Sequence, residues 1–157
     1  MSVRVTGTGA CMAELKEIER FMESPNPMTG IVEDIKASVL EKTSAGHDYR
    51  GRNFEAYSDA YKDKRKKKGL TTKPDLKVTG TMLNAITTKV VNPRHGQVFV
   101  APDSEGRINA DMLANIHNTG TGKQPKREFM NVTPNAVQVL TKKHYDDPIL
   151  EIVRKYR

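Results

Sequence analysis

The residues best equipped for chemistry sit in the second half of the chain. Gly120-Thr121-Gly122-Lys123 has the composition of a phosphate-binding loop. A nucleotide loop of that kind needs a glycine five residues before the Gly-Lys pair and Ser or Thr directly after it, for backbone cradling and magnesium ligation. Those positions hold His117 and Gln124, and the segment follows a helical pattern rather than a strand, so it reads as a turn beyond a helix end. The four histidines, His47, His95, His117 and His144, include no i, i+4 pair of the type a helical zinc site uses, and no cysteine lies near them. His117-Asn118 is a fragment of a metal-dependent nuclease pattern, which also demands a second histidine and a carboxylate. A hydrogen bond from His117 to backbone, at a helix end where positive charge suits the dipole, accounts for it better. The carboxylate pairs Glu33-Asp34 and Asp146-Asp147 are adjacent and diverge in regular structure, and Asp147 suits a helix N-cap. The single Cys11 excludes an internal disulfide and a thiolate cluster, and without an activating neighbour it reads as a packed thiol. Asn131-Val132-Thr133 matches a glycosylation sequon, with no sign of secretion. No catalytic constellation forms, and the expectation is a protein that is not an enzyme, with no catalytic residue, metal ligand or cofactor.

Charge supplies a positive signal. Lys and Arg number 26 against 19 Asp and Glu, a net +7, which favours polyanionic surroundings, either nucleic acid or an acidic protein face. The excess concentrates at Lys62, Lys64, Arg65, Lys66, Lys67 and Lys68, interrupted only by Asp63. That run reads as a solvated helix end or as a segment facing DNA phosphates or a neighbouring subunit. No stretch approaches the roughly eighteen apolar residues a membrane span needs, so the chain is expected to be soluble and made in a cytoplasm.

The elements that must position these residues are legible from periodicity. Val3 and Val5 alternate with polar neighbours, as a short first strand would. Cys11, Leu15, Ile18 and Met22 predict an amphipathic helix over 11–23. Ser24-Pro25-Asn26-Pro27 stops it and opens the next, with Asn26 as N-cap. Met28, Ile31, Val32, Ile35 and Val39 mark one face of a long helix ending by Gly46. From 47 to 74 apolar periodicity lapses, which predicts a long basic excursion outside the core, with a short helix near 57–68, ordering only on assembly. Thr79-Gly80-Thr81-Met82-Leu83 reads as a capped helical turn. Two β-rich stretches, 86–91 and 97–101, flank Asn92-Pro93-Arg94-His95-Gly96 and predict a hairpin. Asn109 caps a helix over 110–117, with Ile108, Met112, Leu113 and Ile116 turned inward. Thr133-Pro134 opens a helix using Val137 and Leu140, and Asp147-Pro148 opens a last one over about 147–157, carrying Ile149, Ile152, Val153 and Tyr156. The chain length fits one domain, 1–157. The fold class is α+β: a small antiparallel sheet packed with a long helix and shorter helices.

The order of these motifs resembles the tailed-bacteriophage neck and tail-completion proteins, the virion-morphogenesis family that includes the phage Mu type. The resemblance spans roughly residues 28 to 145. Its series is a Thr-Gly-x-Leu turn, a hairpin, a helix ending Tyr-Ala-x-x-His-x-x-Gly, a loop, then Pro-Ala-Arg-Pro-Phe-Leu. The positions here that match it are Thr79, Gly80, Leu83, Ala114, His117, Gly120, Pro125, Arg127 and Phe129. Leu113 stands in place of the tyrosine, Lys126 of the alanine and Glu128 of the second proline. The resemblance implies a structural virion protein forming a homo-oligomeric ring, six- or twelvefold, in the neck between head and tail. Its implied partners are further copies of itself, a portal-side connector or head-completion protein, a tail terminator or tail tube protein, and packaged DNA in the channel, with no membrane. Within that frame Gly80 and Gly120 permit tight turns, Phe129 anchors the segment after the loop, and Arg127 holds a carboxylate in the subunit or across to a neighbour. The other reading of the basic composition is a non-catalytic nucleic-acid-binding protein.

Overall fold

The computed structural model describes residues 8–102, 109–121 and 124–157. The strand expected over Val3 and Val5, the inward Ile108 and the Gly122-Lys123 pair lie outside the described residues. The architecture is α+β: one two-stranded antiparallel sheet among helices. Two long helices come first, α1 (Thr8–Glu23) and α2 (Asn26–Ser44), then α3 (Asp59–Lys67) and the single turn α4 (Thr81–Asn84). The hairpin β1 (Ile86–Asn92) and β2 (His95–Val100) follows, and then α5 (Ala110–Thr119), α6 (Pro134–Thr141) and α7 (Asp147–Lys155). Among the described residues no helix is long and apolar enough to cross a membrane.

The hairpin pairs Ile86 with Val100 and Thr88 with Val98, with an irregularity between Val90 and Asn92 at the turn. An isolated hairpin is marginal in water, so it needs a covering face. That cover is α2, whose apolar stripe buries Val32 and Val39. The approach is close at Gly96, where a Cβ would run into Val32 and Met28. Thr88 Oγ1 donates to Glu33 at 2.5 Å, tying β1 to α2 at the surface. Behind the hairpin the core gathers Val39, Phe54, Leu76, Met82, Leu83, Ile86, Ala114 and Phe129. Full burial of side chains such as Ile86 and Phe129 contributes about 1.5–3 kcal/mol each.

The structure corrects several expectations. The stretch from 47 to 74 is not outside the core: it contributes Tyr49, Phe54 and Tyr57 as buried side chains, and Asp48 is buried with them. Its order comes from polar groups that the periodicity pattern ignores. Asp48 accepts from the backbone N–H of Arg50 and of Arg52 and from the Arg52 side chain, closing a turn around Gly51. The second helix starts at Asn26 itself, with Pro27 in its first turn, and the Ser24 hydroxyl accepts from the Asn26 N–H. Asp147 is the first residue of α7, as expected, but it is not an N-cap: its side chain makes no capping bond. The chain from α6 to α7 is one continuous helical run, widened over Lys142–Asp146 into a π-turn in which the Asp147 N–H bonds to the Lys142 carbonyl. Pro148 lacks an N–H and its ring crowds the preceding turn, and the wider turn accommodates it. Asp147 instead pairs with Lys142.

Cys11 is exposed rather than packed. Met112 is 61% exposed and Val137 46%, so neither faces inward, whereas Ala110 and Ala114 are the buried residues of α5. Leu15, on the expected stripe of α1, is also exposed, and Asn109 stands at the start of α5 without a side-chain capping bond. The Thr133 hydroxyl caps α6 by accepting from the Ala136 N–H. Gly80 and Gly120 both take left-handed backbone.

Candidate functional site

Three segments distant in sequence build one cleft of about 720 Å³: 55–61 leading into α3, 76–82 around the α4 turn, and the end of α5 with the segment after its loop. Each is fixed by a distinct local device. Gly80 adopts φ +89°, which turns the chain into α4. At the other wall Gly120 ends α5 with φ +74°, and a Cβ there would press on the Lys126 backbone at 3.0 Å. That close approach brings the returning segment alongside α5. The Arg127 N–H donates to the His117 carbonyl at 2.7 Å, and the Asn118 side-chain oxygen accepts from the N–H groups of both Phe129 and Met130 at 3.1 Å. The Tyr49 N–H donates to the Glu128 carbonyl from the far side. Phe129, 1% exposed, anchors the segment in the core, as the resemblance implies.

Tyr57 is the common neighbour. Its ring packs against two guanidinium groups, Arg65 with 4.9 Å and Arg127 with 5.0 Å to the centroid, and edge-on against Tyr61 at 4.9 Å. Cation–π contacts in such desolvated surroundings contribute about 2 kcal/mol. Burial pushes the Tyr57 phenol above its ordinary value, with Arg65 pulling it partly back.

The two arginines differ in their partners. Arg65, 1% exposed, has the polar ties of a structural staple: Nε donates to the Thr71 carbonyl at 2.6 Å, and Nη2 donates to Asp75 at 2.8 Å and to the Lys77 carbonyl at 3.1 Å. It belongs to the basic run by sequence but is withdrawn from the basic surface. Arg127, 2% exposed, holds no carboxylate of its own subunit among the described residues. Its Nη2 and Nε donate to the Glu55 backbone carbonyl at 2.9 and 3.3 Å, while the neighbouring Glu128 carboxylate pairs with Lys126. Burial holds the Arg127 guanidinium below its ordinary value. His117 is corrected as well: burial first, and the Arg127 charge second, hold its imidazole below the usual value, so it is neutral at pH 7 rather than a cation serving the dipole. Its Nδ1 is buried with no partner among the described residues.

The motif positions therefore converge. Thr79, Gly80, His117, Pro125 and Arg127 line the cleft; Leu83, Ala114 and Phe129 pack behind it; Gly120 shapes the turn beside it. The basic run lies beyond Tyr61. Lys64, Lys66, Lys67 and Lys68 are exposed at the end of α3, Lys62 is half-buried and pairs with Asp59, and Lys66 approaches Asp63 at 3.8 Å. Tyr57, Tyr61 and Asn118 carry much of the geometry and were not legible as site residues. The available signal was the aromatic spacing Phe54, Tyr57, Tyr61 ahead of a lone arginine among lysines. Arg rather than Lys at a buried fork is chemically informative.

Compared with protein-family models, curated proteins and solved structures, the chain matches none.

Proposed function

We propose that this chain is a structural virion protein of a tailed bacteriophage, forming a homo-oligomeric ring in the neck that joins the head connector to the tail, without catalysis. The observation that carries the reading is the convergence of the motif series. Positions spread from Thr79 to Phe129 make one framework, in which the Thr-Gly turn, the His-x-x-Gly helix end and the Pro-x-Arg-x-Phe segment interlock. Residues matched only by chance along the chain have no reason to share one site.

The surface supports assembly. Met12, Leu15, Met112, Val139 and Leu150 are large apolar side chains left exposed on four different helical segments. Side chains of this kind supply apolar anchors for the heterologous contacts a closed ring requires. Cryo-electron microscopy of particles from a lysate, with mass spectrometry for this chain, tests the reading. Density for the chain in a ring between portal and tail supports it, and absence from mature particles rejects it.

One observation favours a second reading, a non-catalytic nucleic-acid-binding protein. Lys64, Lys67 and Lys68 project at the end of α3 and make no ion pair among the described residues. A duplex affinity of the purified chain that falls steeply with salt favours this reading. Binding to DNA only after assembly on a connector favours the ring.

A further inference from the structure

We propose that the cleft beside Tyr57 is a binding site for a carboxylate carried on an apolar body. The argument is independent of the neck reading and starts from Arg127. A guanidinium withdrawn from water is stable only where its charge and its N–H groups are answered. Arg127 is 2% exposed, and its hydrogen bonds go to one backbone carbonyl, that of Glu55. Among the described residues it makes no ion pair, and Nη1 makes no hydrogen bond. Arg65, its neighbour across the Tyr57 ring, pairs with Asp75 and leaves Nη1 buried without a partner among the described residues, while the exposed Glu55 carboxylate acts on the Arg127 charge only through space, so Arg127 is the cation of the cluster without an ion pair.

The cleft lies against that charge. Its volume of about 720 Å³ falls in the range of small-ligand sites, roughly 300–1,000 Å³. Leu76, Val78, Met82, Leu113 and Ile116 supply apolar wall, which fits a hydrocarbon body. His117 lines the same cleft with Nδ1 buried and unpartnered among the described residues, and the neutral tautomer that carries its proton on Nδ1 offers a second donor. The acidic side chain at the lining, Glu55, is exposed, so its carboxylate stays in water while its carbonyl holds the arginine. One buried cation without an ion pair matches a monoanion, and a planar fork matches a carboxylate. Leu76 adds a second sign of a built site. It takes φ +53°, a conformation costly for a branched side chain, and it is buried in the cleft lining.

The test is a titration of the full chain with 4-ethylbenzoate and, separately, with the uncharged 4-ethylbenzamide. Saturable binding of the acid, at least about tenfold tighter than the amide, is expected from a charge-assisted hydrogen bond. Val78→Trp places bulk at an exposed position of the lining without touching the core, and it abolishes binding while urea unfolding stays as in the parent chain. Arg127→Lys keeps the charge but loses the fork, and weakens the acid without weakening the amide. Equal affinity for acid and amide, no saturable binding of the acid, or full affinity in V78W each overturns the proposal. Oligomeric state with and without the probe identifies the source of the natural carboxylate. A self-associated species dissolved by 4-ethylbenzoate assigns it to an acidic side chain of a second copy, and saturable binding with an unchanged state assigns it to a free organic acid.

Discussion

Arg65 and its lysine neighbours carry the same formal charge and do opposite work. The guanidinium reaches across from α3 to gather the Thr71 and Lys77 carbonyls and the Asp75 carboxylate, so it organises the 71–77 segment from inside. An ammonium at that position keeps the charge but cannot present a fork to three acceptors. Arg65→Lys is expected to cost about 2–4 kcal/mol in urea unfolding, whereas Lys67→Gln stays within about 0.5 kcal/mol. Equal effects would show that Arg65 is no staple. Leu76 allows a sharper test because its sign is unusual. Leu76→Ala removes buried volume at a cost of about 2–5 kcal/mol. Glycine at an ordinary site is worse than alanine by about 0.5–1 kcal/mol, but at φ +53° it relieves left-handed strain that alanine retains. Leu76→Gly is therefore expected to be at least as stable as Leu76→Ala, and an ordinary ranking rejects the strain. Both residues stand in the sequence as unremarkable letters. A buried arginine in a lysine run is defined by acceptors six to twelve residues ahead, and a left-handed leucine by the packing around it, so neither follows from local pattern.

Elements fared better where their cause is local. The hairpin follows from β-branched stretches around a Pro-bearing turn, α2 from an apolar stripe bounded by prolines and Gly46, and α6 from a hydroxyl cap before a proline. The failures share one cause. A stripe on a helix says which face is apolar but not whether another element covers it, which is why Met112 and Val137 are exposed. Likewise Asp147-Pro148 carries the local chemistry of a helix start, yet the chain runs through it because the π-turn makes room for the proline and aims residues 143–145 at α2 and the hairpin. Lys143 and His144 both reach Asp34 at 2.7 Å, and the Tyr145 hydroxyl donates to the Pro93 carbonyl at 2.5 Å. The Lys143 and His144 bonds hold the Asp34 carboxyl below its ordinary value. The His144 ring lies directly over Gly30, leaving no room for a methyl group. Propensity alone says that Gly30→Ala within α2 stabilises by about 1 kcal/mol. The packing says the reverse, a loss of about 1–3 kcal/mol as the ring is displaced. Thermal or urea unfolding of G30A decides between them. A gain in stability would mean that the C-terminal run does not seat on α2 in this way.

At the scale of the whole molecule, the cleft and the basic surface meet at α3. Its inner face carries Arg65 into the cluster at Tyr57, and its end presents Lys64, Lys66, Lys67 and Lys68 to solvent. The motif positions were each legible as letters in an ordered series, but their convergence was not, because it depends on non-local ties such as Asn118 to Phe129 and Arg127 to Glu55. The division of α3 into a structural and a free face makes its charge separable from its fold. The net charge of +7 repels itself in the compact state, which offsets what the exposed lysines gain from the C-terminus of α3 and from the Lys66–Asp63 pair. The quadruple variant K64Q/K66Q/K67Q/K68Q is therefore expected to unfold at the same urea midpoint as the parent or slightly above it, with Arg65 and its ties untouched. If these lysines face phosphate, whether as a free binder or in a neck channel, each contact released lowers the slope of log affinity against log salt by about 0.9 for duplex DNA. Loss of all four lowers it by about 3.6, with little change in sequence preference. If the chain forms the proposed ring, the same variant lowers virion yield while the subunit stays folded. An unchanged salt slope together with unchanged virion yield would show that the lysine surface is solvation alone.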